Sequence, residues 1–155
     1  MPNEIRTKFD NNNNFTITLG ALASGAARQS TMISNFPAFR PAALICLRIQ
    51  TGAVAPTTGT VVEIFLLRND NIISYSTDGA GTVDAAITIN NAQMIGTIVV
   101  NNSVNTYFYG DFDTAPLGPL GYQWGIAVRN STDQAFNAAE ANFIKEYVTY
   151  LPEIQ

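Results

Sequence analysis

AALICLRIQTGAVAPTTGTVVEIFLLRNDN runs from Ala42 to Asn71, and its reading decides the fold. Two apolar, β-branched runs, Ala42–Gln50 and Thr60–Arg68, flank a stretch of Gly, Pro and Thr that can continue neither. Runs of this length bounded by turn residues are strands rather than helices. Both hold consecutive apolar residues, in LICLRI and VVEIFLLR, so both are expected to be covered on two faces. One cover is the opposite sheet. The other is a loop or a neighbouring subunit.

Outward from this pair the same pattern recurs. Further strands are expected at Phe15–Leu19, Ile72–Ser76, Ala86–Asn90, Met94–Val100, Asn105–Gly110, Tyr122–Arg129 and Asn142–Leu151. Punctuators such as STDGAG, NNSVN, DFDTAPLGPLG and RNSTDQ separate them. A short helix is expected only around Asp133–Ala141, and no βαβ alternation occurs. Short strands at this spacing predict an all-β sandwich or closed barrel over residues 15–155. The asparagine run Asn11–Asn14 sets residues 1–14 apart as an N-terminal arm, ordered by a partner.

The chain has 155 residues, 46% of them apolar and only 13% charged. Such a low charge density fits a surface facing other protein, or one wetted by Asn, Thr, Ser and Gln. Net charge is −4 and the eight basic residues are scattered, so no phosphate-neutralising patch is expected and nucleic acid is not a partner. No apolar run is long enough to span a bilayer. The start MPNEIRTKFD is polar and lacks a signal-peptide core, which predicts synthesis in a cytoplasm.

Chemistry is restricted further. There is no histidine, which removes Ser–His–Asp and Cys–His triads and His-containing zinc sites. Cys46, the single cysteine, reads as a small buried hydrophobe. No phosphate-binding glycine loop occurs. Asp111 and Asp113 read as a solvated loop rather than a catalytic pair, and Glu63 and Glu146 as the polar faces of alternating strands. Trp124 and Tyr122 share a strand face and suit core packing, although a sugar platform is the other use of such a pair. The sequons at Asn14, Asn101 and Asn130 read as coincidence in an Asn-rich chain. No metal, cofactor or catalytic residue is assigned, and a non-enzyme is expected.

One segment breaks the pattern. ITLGALASGAARQS, Ile17 to Ser30, carries side chains too small to fill a core. It is expected to lie extended and flat against another backbone, in its own sandwich or a neighbour's, with Arg28 and Gln29 supplying directed hydrogen bonds.

FTITLGALASGAARQST, the strand AALICLRIQTG and then AVAPTTGTVVEIFLLRNDN resemble small β-sandwich proteins of tailed bacteriophages. The shared pattern is I-x-L-x-x-L-A-x-x-x-x-R-Q-S, a buried strand, and T-x-G-T-V-x-hydrophobic, over about Phe15 to Asn71. The resemblance implies a head decoration, or cement, protein: a jelly-roll-like sandwich, often trimeric, on the outside of a capsid. It implies the major capsid protein and further copies of itself as partners, and no catalytic residues. Contact residues are expected in the arm (Ile5, Arg6, Phe9), in the small-residue segment (Ala21, Leu22, Arg28, Gln29) and in SNFPAFRPA (Phe36, Phe39, Arg40). The alternative is a tail, fibre or adaptor sandwich that binds glycan through Trp124, Tyr107, Tyr109 or the Asp111–Asp113 loop.

Overall fold

A computed structural model describes residues 4–69, 78 and 81–154. Its strands are β1 (Ile5–Phe9), β2 (Asn13–Asn14), β3 (Ala27–Gln29), β4 (Ile33–Ser34), β5 (Ala42–Gln50), β6 (Val61–Asn69), β7 (Ala85–Ala86), β8 (Gln93–Val99), β9 (Tyr107–Asp113), β10 (Gln123–Ser131) and β11 (Ile144–Ile154). All pair antiparallel. The first sheet runs β1-β11-β5-β9 with β2 also on β11; the second runs β7-β3-β10-β6-β8 with β4 also on β10.

These pairings are nested. β6 with β8 is the innermost pair, enclosed by β5 with β9, then β3 and β4 with β10, then β1 and β2 with β11. Successive pairs fall in alternate sheets, as if one long hairpin had been rolled up. That is the jelly-roll arrangement, and the fold is a β-sandwich.

Alternation along the central strands makes the core. Ala43, Ile45, Leu47 and Ile49 of β5 face Val62, Ile64 and Leu66 of β6 and Trp124, Ile126 and Val128 of β10, all buried. The cover expected on the second face is present for β6 and differs for β5. On β6, Phe65 and Leu67 point outward but are buried with Met32 and Ala127 beneath Ile87, Ile89 and Ala92 of the chain's own connection. On β5, Leu44 points outward and stays 39% exposed.

Several expected elements differ. Phe15–Leu19 is not a strand: Phe15 N donates to Lys145 O in the first sheet, while Thr16 O accepts from Thr31 N beside the second. The segment crosses between the sheets, and Phe15, Ile17 and Leu19 enter the core from it. Of Ala86–Asn90 only Ala86 is in a strand. The strand expected at Ile72–Ser76 lies outside the described residues. Asp133–Ala141 holds no α-helix, and a single 3-10 turn forms at Glu140–Asn142. β9 runs on to Asp113, so Asp111 and Asp113 sit on a strand and not in a loop. Within the segment read as an arm, β1 and β2 pair with β11. Between them Asp10–Asn12 face only Val148 and Thr149, a one-residue bulge.

The small-residue segment lies flat against its own chain. Ala21 N donates to Asn137 O, Phe136 N to Leu22 O, and Gly25 N to Asn130 O. The Glu140 carboxylate accepts from Leu19 N at 2.9 Å and Gly20 N at 2.5 Å. A Cβ on Gly20 would meet the backbone oxygen of Ala138 at 2.7 Å. Close backbone approach is therefore the reason for the glycine. Gly20→Ala should destabilise the protein by about 1–3 kcal/mol, the cost of overpacking. Urea unfolding would show this as a lower midpoint at constant m.

Candidate interaction surface

One end of the sandwich carries exposed aromatic rings on a braced loop. Asn35, buried, closes the turn: its Oδ1 accepts from Arg40 N at 2.8 Å, and its Nδ2 donates to Arg40 O and Gly121 O, each at 2.9 Å. Between these anchors Phe36 and Phe39 are 56% and 55% exposed. Their rings meet edge to face at 5.6 Å, and Phe36 stacks on Tyr122 at 5.8 Å. Phe39 has φ +46°, a left-handed conformation that a bulky residue adopts only when its surroundings impose it.

Arg40 holds this loop to the N-terminal strand. Its guanidinium grips both oxygens of Asp10 at 2.6 and 2.7 Å, and Thr149 Oγ1 donates to the same carboxylate. The Arg40 hydrogen bonds hold the Asp10 carboxyl below the usual carboxylate range and outweigh its burial. A carboxyl depressed in the folded state adds stability above its unfolded value of about 4, and this is lost as pH falls through the lower folded value. Asp10→Asn should therefore flatten the acid limb of stability against pH, measured by urea unfolding across a pH series.

From Asp10 the chain leads back into a two-stranded ribbon. β5 pairs with β11 only as far as Tyr150, so Leu151–Ile154 pair with β1 alone. Every residue of β1 is exposed, Ile5 by 73% and Phe9 by 54%, and the Phe9 ring lies 5.6 Å from that of Tyr150. The ribbon's ion pairs, Arg6–Glu4 and Lys8–Glu153, are solvent-exposed and hold little energy.

The expected contact residues thus divide. Ile5, Arg6, Phe9, Phe36 and Phe39 are exposed and brought to one end through the Asp10–Arg40 clasp. Arg40 acts there as the brace rather than as a free anchor. Ala21, Leu22, Arg28 and Gln29 lie elsewhere, toward the far end of β10, where Leu22 O accepts from Asn130 Nδ2. Gln29 corrects the expectation outright. It has no exposed surface, and its amide donates to Gly81 O and Val83 O. Arg28 is clasped by Asp84 at 2.5 Å. Both residues pin the connection that covers the outer face of the second sheet.

The remaining candidates also resolve. Trp124 is fully buried and forms no sugar platform. Tyr107 carries the Arg48 guanidinium 4.5 Å above its ring, which leaves Tyr109, 61% exposed, as the free aromatic beside it. Glu63 pairs with Arg129 at 2.5 Å on the outer face of its sheet. Asp113 accepts from Tyr150 Oη at 2.6 Å, and burial together with this carboxylate pushes the Tyr150 hydroxyl up to about 12. Cys46, expected to be buried, is only half-buried on the outward face of β5, where desolvation and the neighbouring Asp111 push its thiol up to about 11. Among the described residues no three His, Cys, Asp or Glu side chains converge to hold a metal. Sequence reasoning missed Asp10 and Tyr150, whose partners Arg40 and Asp113 lie far away in the chain, and Asn35, which closes its loop on Arg40 five positions on and ties it to the distant Gly121. No known protein family and no curated protein matches the sequence.

Proposed function

We propose that this chain is a structural protein of a tailed-phage virion, a decoration or cement protein that binds the outside of the head and holds neighbouring major capsid subunits together. The observation that carries the reading is the aromatic end: Phe36 and Phe39 project from a loop closed by Asn35 and tied by Arg40 to Asp10. Rigid, exposed aromatics lose little conformational entropy on docking and commonly anchor interfaces. The β1–β11 ribbon beside them offers an open strand edge, a second route to adhesion by strand addition. Self-association, as a trimer, belongs to the same proposal.

Co-sedimentation tests it. Purified protein mixed with capsids stripped of it should pellet with them and saturate at a simple ratio to the major capsid protein. Failure to pellet at micromolar concentration contradicts the reading.

A further inference from the structure

The two outer faces of the sandwich are not alike. On the second sheet, Phe65, Leu67 and Met32 are buried beneath the chain's own connection. On the first sheet no described segment does this. Leu44 and Cys46 of β5 and Val148 of β11 instead form the floor of an open groove of about 500 Å³, within the size range of ligand sites.

Its rim is acidic. Asp111 and Asp113 project from β9 on one side and Glu146 from β11 on the other. Asp113 accepts from Tyr150 Oη and Ala115 N, and Glu146 from Asn12 Nδ2. None of the three is in an ion pair among the described residues: six of the eight basic residues engage other carboxylates, and Arg68, on β6 of the second sheet, donates to Gln93 Oε1, Leu117 O and Gly118 O. Arg48, the cation on the same face of β5, lies over Tyr107 and donates to Asn142 O.

This combination selects its occupant. A purely apolar partner would strip water from three carboxylates without replacing it. An anionic partner would be repelled. A second copy packed face to face on this groove would bring two acidic rims together, because a two-fold contact buries the same patch of both copies. A lysine or arginine side chain satisfies both parts, its stem on Leu44 and Val148 and its head between the carboxylates. We infer that this groove docks an extended segment of a partner protein that presents Lys or Arg between apolar residues. The inference deepens the adhesion reading and rests on it, while naming a contact separate from the aromatic end.

An NMR titration with no capsid present tests it, using a short capped peptide of alternating valine and arginine and a control with glutamate for arginine. The arginine peptide should shift the backbone amides of Leu44, Cys46, Asp111 and Val148 saturably, and the control should leave them in place. The double variant Asp111→Asn, Glu146→Gln, with its spectrum otherwise dispersed, should bind about tenfold more weakly, the size of one charge-assisted contact. Equal shifts with both peptides, no shift at these residues, or groove shifts that follow protein concentration without peptide would each overturn the inference. Such a failure would leave capsid binding through Phe36 and Phe39 untouched, so the two readings fail separately.

Discussion

Trp124→Ala should lower the free energy of unfolding by about 3–5 kcal/mol, the range for truncating a large buried aromatic. The residue is fully buried on β10 of the second sheet. Its indole meets Tyr147 of β11 in the first sheet edge to face at 5.1 Å, and Phe15 of the crossing segment at 5.6 Å. One side chain therefore joins both sheets and the connector that closes them, and truncation opens a cavity facing all three. Domains of this kind have about 5–15 kcal/mol in total, so the variant should lose a large share of its stability. Urea unfolding measures this, with Tyr109→Ala as the exposed control, expected within about 0.5 kcal/mol of wild type. A Trp124→Ala change below about 1 kcal/mol would contradict the packing described.

The double variant Phe36→Ala, Phe39→Ala should weaken capsid binding by about a hundredfold or more, since anchor residues of this type contribute about 2 kcal/mol or more each. The fold should survive. Both rings are more than half exposed, and the stability at risk is their contact with Tyr122, about 1 kcal/mol. Asn35 and Arg40 stay in place, so the loop keeps its closure. Binding isotherms on stripped capsids, with thermal unfolding of the free proteins alongside, separate the two effects. Wild-type affinity in a folded double variant would remove the aromatic end from the interface.

How far these features could be read in advance depended on the range of the interaction behind them. β5 was legible to the residue, because Pro41 and the Thr51–Gly52 pair bound an apolar run whose own alternation specifies its faces. β3 was not, since Ala27, Arg28 and Gln29 have no strand preference of their own. Pairing with Ala127–Arg129 of β10 makes them a strand. β1 and β2 were hidden by the asparagines between them, and their partner β11 lies at the other end of the chain. Nested pairing of this kind leaves no local trace. At the aromatic end, Phe36 and Phe39, on either side of Pro37 and ahead of Pro41, stood out as residue types that anchor interfaces. Arg40 looked like another anchor because Asp10, the group that holds it, is thirty positions away.

The most direct test of the central claim is the copy number of this chain in purified virions, by quantitative mass spectrometry against the major capsid protein. A decoration protein should be present at the same number of copies as the capsid protein or at a simple fraction of it. A handful of copies per particle would place it in the tail or at the portal and contradict a shell-covering role, and complete absence would contradict the virion assignment altogether.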